Sequence, residues 1–260
     1  MKPNHQLWLL AAFAMLIASC KKNDNGTVVP TAKTKDKYLT QVIRVETHPG
    51  TVATTTITNY TYDDKKRLTE IKSPDALTEY MYYDNGDLFS INKLSLKIVG
   101  TNEYGARTDA ELFYSQGKIQ AADVKNYKNG EIQNEELYNY VYDGEQVSEV
   151  HYDNRHVTLY DYDDHGNVVK EVIRDAIPSV NYYVYDDKKS AFTPTLFKCP
   201  NKIEDRSSPN NVISITNITG STTTNTTISY TYDSDGYPTT AISGTAIDGI
   251  KSTYKYSKLE

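Results

Sequence analysis

Tyrosines two positions apart recur along the chain and are followed by Asp and a short polar stretch, as at Tyr60–Asp64 and Tyr160–Gly166. Since side chains at i and i+2 share one face of a β-strand, each pair predicts a strand that ends in a hairpin turn. Asp accepts backbone N–H bonds in such a turn, and Gly supplies a positive φ. The copies therefore predict a succession of antiparallel hairpins.

The copies lie roughly 20 to 30 residues apart, which fits two strands and two turns each. They predict an all-β fold: a single antiparallel meander of about 14–18 strands, curled into a soluble, barrel-like (porin-like) sheet. After the turns, apolar residues fall three apart instead of two, an odd step that indicates either two covered faces or a β-bulge that curls the sheet. These pairs are Leu68 and Ile71, Leu88 and Ile91, Val147 and Val150, and Val169 and Val172.

The rhythm lapses between Ser190 and Asn211, a stretch that holds three prolines and Cys199. Because proline is excluded from central strands, this stretch predicts a long connection or strap across one end of the sheet. A tolerated insertion is the alternative interpretation.

The amino-terminal residues predict export. An apolar run from Leu7 to Ile17 is too short for an ordinary spanning helix and has the length of a signal-peptide core. The tetrad Ile17–Cys20 resembles the lipobox of bacterial lipoproteins, which implies that Cys20 is acylated and becomes the first residue. The alternative is an ordinary signal peptide that is cut elsewhere.

This interpretation divides the chain into a signal peptide (1–19), a polar tether (20–37) and an all-β domain (38–260). Acyl chains anchor a protein to a membrane without a spanning segment, so the membrane is the first predicted partner. Lys21 and Lys22 stand where an inner-membrane retention signal carries Asp, which favours the outer membrane, on its periplasmic or exterior side. Cys199 then has no partner for an intramolecular disulfide.

Composition narrows the function classes. Apolar residues make up only 38% of the chain and 23 residues are Tyr, which predicts an amphipathic interior. A net charge of −6 with interspersed signs argues against nucleic acid as a partner. Polar residues such as Thr61, Asp161, Thr231 and Lys255 lie on the strand faces opposite the tyrosines, which argues against a barrel surrounded by lipid.

The tyrosines are also the candidate ligand-binding residues. Tyr140, Tyr142, Tyr160 and Tyr162 would offer flat ring faces and hydroxyl groups to a glycan or a small apolar molecule. Cross-strand aromatic pairing that stabilises the sheet is the structural alternative, and the pattern favours it.

The sequence predicts no cofactor, but two metal-binding hypotheses, one for zinc and one for calcium, can be stated. A two-residue turn would place His151 and His156 opposite each other, with Glu149 on the same face, within reach of a zinc ion; solvated surface is the alternative. The Asp-rich turns at 163–166 and 233–236 resemble fragments of calcium loops, but turn chemistry explains the same residues.

Catalytic residues stay unknown, because nucleophile, zinc-protease and phosphate-loop motifs are absent from the sequence. Paired carboxylates such as Glu135–Glu136 and Asp186–Asp187 leave open a carbohydrate-active enzyme that acts inside a Tyr-lined barrel. The favoured hypothesis is a lipid-anchored binding or structural module of the cell envelope without catalytic activity.

The phrase Tyr-x-Tyr-Asp-x-x-Gly-x-Leu, best matched at Tyr160–Val168 and loosely at Tyr60–Leu68, resembles the YD repeats of Rhs and teneurin-type shell proteins. The chain also resembles a family of secreted bacterial lipoproteins of unknown function that are described as having a porin-like β fold. That resemblance covers nearly the whole mature chain and implies a fold and a location. The container function of the shell proteins does not carry over, because this chain is far too short to enclose a protein.

Overall fold

Sixteen strands and one short 3-10 turn make up the described part of the chain. The computed structural model describes residues 36–97, 104–152, 156–195 and 208–259. The strands are β1 (Tyr38–Thr47), β2 (Thr54–Tyr62), β3 (Leu68–Lys72), β4 (Ala76–Tyr82), β5 (Leu88–Lys97), β6 (Tyr104–Ser115), β7 (Lys118–Lys128), β8 (Glu131–Asp143), β9 (Gln146–His151), β10 (Val157–Tyr162), β11 (Val168–Arg174), β12 (Ser179–Lys189), β13 (Asn210–Thr219), β14 (Thr222–Tyr232), β15 (Pro238–Gly244) and β16 (Gly249–Ser257). The 3-10 turn is Thr193–Thr195, between β12 and β13.

Every strand pairs antiparallel with its neighbours in sequence, and β16 pairs with β1, so the sheet is a closed barrel. Val42 lies opposite Tyr254 across this closing pair. The prediction of an all-β meander of 14–18 strands, curled into a barrel, is confirmed. Among the described residues, no helix is long and apolar enough to cross a membrane.

The odd apolar spacing is produced by β-bulges at one end of the barrel. Tyr62 lies opposite Leu68 and Tyr60 opposite Ile71, so one extra residue is inserted on β3 and both apolar residues face the same side. The same shift follows the turns before β5 and β9, which confirms the bulge interpretation for three of the four predicted pairs.

The fourth predicted pair is wrong by one residue. On β11 the bulge places Val168 opposite Tyr162 and Glu171 opposite Tyr160. The inward residues are therefore Val168 and Glu171, whereas Val172 lies opposite Leu159 on the other face. A run of apolar residues at 168, 169 and 172 allows both registers, and only the strand pairing selects one.

Four turns share one five-residue geometry. In the turn 163–167, the backbone N–H of Asp163 donates to the Asn167 carbonyl and the N–H of Gly166 donates to the Asp163 carbonyl, both at 3.0 Å. The same pair of bonds forms in turns 63–67, 83–87 and 233–237. The fourth position always has positive φ, and it is Gly in three turns but Lys66, with φ of 64°, in the first.

These turns, the chain entry at Tyr38 and the end of β16 all lie at one end of the barrel, here called the tyrosine end. The buried core lies there and extends along β3–β11, where it packs tyrosines against aliphatic side chains. Its fully enclosed members include Leu68, Ile91, Leu112, Val147 and Val150, each at most 1% exposed. Tyrosine thus supplies much of an interior that Leu and Ile alone do not fill.

The predicted strap begins as expected. Residues 190–195 leave β12 and turn across the tyrosine end, where the Phe192 ring lies 5.8 Å from the ring of Tyr60 on β2. The N–H of Ser190 donates to the Pro209 carbonyl at 2.8 Å, which ties the start of the strap to its return. Cys199, like Cys20, lies outside the described residues.

Candidate functional site

The second tyrosine of each pair has a structural role at the tyrosine end. Its hydroxyl donates to a backbone carbonyl on the preceding strand, close to the bulge or strand end. Six such bonds measure 2.6–2.9 Å: Tyr62 to Leu39, Tyr82 to Leu68, Tyr142 to Ile119, Tyr162 to Val147, Tyr185 to Val168 and Tyr256 to Pro238. Tyr232 donates instead to the Asp186 carboxylate. Six of the repeated phenols therefore each join their strand to the strand before it.

The four tyrosines predicted to bind a ligand do not form one platform. Tyr140 and Tyr160 are only 5% and 7% exposed and belong to the core. Burial is the main cause that raises the pKa of Tyr160 above its ordinary value. Tyr142 and Tyr162 donate to backbone carbonyls, and Tyr142 also lines a cavity.

That cavity opens at the tyrosine end and measures about 680 Å³. It lies within the range of small-molecule sites, which are concave and combine apolar surface with a few polar groups. Its wall contains tyrosines from four strands or strand starts, namely Tyr38, Tyr82, Tyr114 and Tyr142, together with Leu68, Leu88 and Ile119. Pro194 and Thr195 complete the wall from the strap. We call it the mouth cavity.

Two cations stack on tyrosines in this wall. The Arg67 guanidinium lies 4.4 Å from the centre of the Tyr82 ring, and the Lys118 ammonium lies 5.3 Å from that of Tyr142. The same tyrosines donate their hydroxyls to Leu68 and Ile119, so their rings are held from two sides. Such cation–π contacts stabilise a partly desolvated site by about 0.5–2 kcal/mol each.

Arg67 is also held by the turn that precedes it. Its Nε and Nη2 atoms both lie 2.7 Å from Asp63 Oδ2. Burial by itself would raise the pKa of the Asp63 carboxyl, but the backbone and side-chain hydrogen bonds from Arg67 outweigh it and hold that pKa below its ordinary value. Asp63 is therefore ionised at neutral pH, and the guanidinium is fixed in one orientation.

Sequence reasoning missed this site. The run Lys65–Arg67 replaces the usual Gly-containing turn of the repeat, and that departure was the available signal. The distant contributors, Lys118 and the strap residues, have no local pattern that links them to it.

The histidine pair does not have the predicted register. Val157, not His156, lies opposite His151, so the two histidines fall on opposite faces of the β9–β10 pair. His151 Nε2 contacts Glu149 at 2.8 Å, and His156 Nε2 contacts Asp175 at 3.0 Å. Within the described ranges, no group of three or more His, Cys, Asp or Glu side chains is placed to hold a metal ion. A shared zinc ion thus lacks the geometry on which it was predicted.

The Asp-rich turns use their carboxylates for other bonds. Asp163 Oδ1 accepts the backbone N–H groups of His165 and Asn167, both at 2.9 Å. In the turn 233–237, Lys37 Nζ lies 2.8 Å from Asp233 and 2.5 Å from Asp235. These carboxylate oxygens accept hydrogen bonds within the turn or pair with Lys37, as turn chemistry alone would require. The calcium hypothesis stays a prediction.

One carboxylate faces the barrel interior in a polar row. Glu171 Oε2 accepts hydrogen bonds from Asn181 Nδ2 at 2.7 Å and from the Tyr183 hydroxyl at 3.0 Å. Asn217 Nδ2 continues the row by donating to Asn181 Oδ1 at 2.7 Å. The partners of Glu171 in this row are neutral, whereas a glycosidase needs a second carboxyl group at about 5–10 Å.

Comparison with known proteins supports the architecture. No protein-family model matches the chain, and no curated protein matches it. A porin-like protein from Bacteroides vulgatus is similar in structure, with 14% identity, a TM-score of 0.54, and coverage of 85% of this chain and 99% of that chain. A porin-like protein from Bacteroides uniformis matches with 14% identity, a TM-score of 0.49, and coverage of 84% and 98%. At this identity the first likeness shows the barrel fold alone.

Proposed function

We propose that this protein is a lipid-anchored, non-catalytic binding module of the bacterial cell envelope, and that a small ligand occupies the mouth cavity. The observation that carries the proposal is the cavity of about 680 Å³ walled by four tyrosines at the end of a closed barrel. The similarity in fold to a porin-like protein is consistent with an envelope location.

The anchor part of the proposal rests on the Ile17–Cys20 tetrad. Mass spectrometry of the protein from its native host is expected to show a first residue Cys20 that carries acyl chains. The Cys20→Ser variant is expected to leave the outer-membrane fraction. A product that retains Met1, or a Cys20 without acyl groups, would refute the anchor.

We infer further that the barrel itself stands outside the hydrocarbon layer. Its outer face carries exposed Thr61, Asp161, Thr231 and Lys255. Lys170 and Asp161 form an ion pair on this face at 3.3 Å. A Lys or Arg on the lipid face of a spanning barrel costs about 2–4 kcal/mol at mid-depth, so lipid around this surface is unfavourable.

The ligand class follows from the wall: a glycan or a small molecule with an apolar face suits exposed ring edges beside polar groups. The test uses the full lipidated protein in detergent and titrates it calorimetrically with monosaccharides, disaccharides and aromatic alcohols. Thr195→Trp, which fills the cavity, is expected to abolish the binding that is found. Ile247→Trp, at an exposed turn of the opposite end, is the matched control and is expected to leave it unchanged.

Two results would overturn this function. Either binding that persists in Thr195→Trp, or no binding by any compound of the panel, would remove the mouth cavity as the site. Turnover of the saccharides would instead favour the enzyme alternative, for which Glu171 is one inward-facing carboxylate.

A further inference from the structure

The charge of the mouth cavity is opposite to that of the chain. The whole protein carries a net charge of −6. The cavity wall, in contrast, contains four cationic residues, Lys65, Lys66, Arg67 and Lys118, and two acidic ones, Asp87 and Glu145. A concave surface with an excess of one charge attracts ligands of the other sign.

The acidic residues reduce this excess without cancelling it: when Asp63, the partner of Arg67, is counted with Asp87 and Glu145, three acidic residues stand against four cationic ones. Glu145 pairs with Lys118 at 3.0 Å, but its side chain is 90% exposed, so water screens its charge. Asp87 Oδ2 accepts a hydrogen bond from Asn85 Nδ2 at 2.9 Å, and this neutral partner leaves its negative charge in place. Lys66 donates to the Leu259 carbonyl at 2.8 Å, which is likewise a neutral partner.

Arg67 contributes a positive charge that is held in one place. Asp63 and the Tyr82 ring hold its guanidinium, as described above, and its third nitrogen, Nη1, is buried without a hydrogen-bond partner among the described residues. A buried donor without an acceptor is unfavourable, and a charged donor more so. Nη1 is enclosed by protein atoms, so Arg67 acts on a ligand in the cavity through its positive charge; its side chain is 24% exposed.

We infer that the ligand of the mouth cavity is a small organic anion. Its carboxylate or phosphate group pairs with Lys65, next to the fixed charge of Arg67, and its carbon skeleton lies against the rings of Tyr82 and Tyr142. This inference rests on the proposed function and specifies its ligand class.

The test compares glucuronate with glucose, two sugars that differ in one carboxylate in place of a hydroxymethyl group. Calorimetry with the full lipidated protein in detergent is expected to show about tenfold tighter binding of glucuronate, since hydrogen bonds to charged groups are stronger than neutral ones. Glucose 6-phosphate is expected to share this preference, and a higher salt concentration is expected to reduce it.

Lys65→Gln tests the site itself. It is expected to weaken the binding of glucuronate about tenfold and to leave that of glucose unchanged. Lys251→Gln, which removes an exposed lysine from the outer face of β16, is the matched control and is expected to leave both affinities unchanged.

The outcomes separate this inference from the proposed function. If glucose binds as tightly as glucuronate and Thr195→Trp blocks both, the binding function stands and the anion preference is wrong. If Lys65→Gln weakens glucuronate no more than Lys251→Gln does, the assignment to this cavity wall is wrong. If neither these sugars nor the earlier panel of compounds binds, the proposed ligand-binding function is wrong as well.

Discussion

The Tyr162 hydroxyl gives a direct test of the structural role of the repeat. In Tyr162→Phe the ring stays, and the hydroxyl that donates to the Val147 carbonyl, 2.7 Å away, is removed. Val147 is fully buried, so water does not easily replace this donor. A net hydrogen bond stabilises by about 0.5–1.5 kcal/mol, and an unsatisfied buried acceptor costs about 1–3 kcal/mol.

We therefore expect Tyr162→Phe to lower the free energy of unfolding by about 1–2 kcal/mol. For a domain of this size, that corresponds to a Tm lower by roughly 2–8 °C. Thermal and denaturant unfolding, followed by circular dichroism, would measure both quantities. The double variant Tyr82→Phe/Tyr162→Phe is expected to lose about twice as much, because the two bonds lie on separate strands, β4 and β10.

The control is Tyr182→Phe, which makes the same chemical change on the outer face, where the side chain is 43% exposed. Its effect is expected to stay within about 0.5 kcal/mol. If Tyr162→Phe were no more destabilising than this control, the conclusion that the second tyrosines join neighbouring strands would be wrong.

Three further predictions concern the turns and the buried phenols. Gly236→Ala is expected to lower the free energy of unfolding by about 1–2 kcal/mol, measured by chemical denaturation, because φ is +82° at this position. Lys66→Gly is expected to raise the free energy of unfolding, because it relieves a positive φ at the equivalent position. If both variants changed the free energy in the same direction, the shared turn geometry would be wrong. Burial raises the pKa of Tyr185 to about 12, so the unfolded chain releases tyrosine protons first and stability is expected to fall as pH rises above about 10; a spectrophotometric titration with all phenols ionising near pH 10 would contradict this. Burial alone would raise the pKa of Asp163, but hydrogen bonds from Asn167 and His165 outweigh it and lower that pKa. The ionised Asp163 side chain is expected to contribute fully to the free energy of unfolding above about pH 4 and to lose this contribution as the pH falls further. In Asp163→Asn the free energy of unfolding should therefore fall less steeply at acid pH. An unchanged acid dependence would contradict this role of Asp163.

Local signals account for the parts of the fold that were predicted correctly. Asp163 and Gly166 specify their turn through bonds that span five residues, and the step from Leu68 to Ile71 records a bulge that the β2–β3 pairing confirms. Register errors arose where the local sequence permits two answers. The sequence predicts His151 opposite His156 and Val169 on the inner face, whereas the strand pairing has Val157 opposite His151 and Val168 opposite Tyr162. A shift of one residue changes the face of every side chain.

The hairpin repeat and the approximate number of strands could be predicted from the sequence, since both depend on residues that are close in the chain. The export signal stays a prediction. The shared cavity of Arg67, Lys118 and Thr195, in contrast, is visible only in the folded barrel. Their proximity depends on the closure of β16 onto β1 and on the register of every strand pair between them. The positions of these residues relative to one another depend on many strand pairs around the barrel, so no short stretch of the chain encodes them.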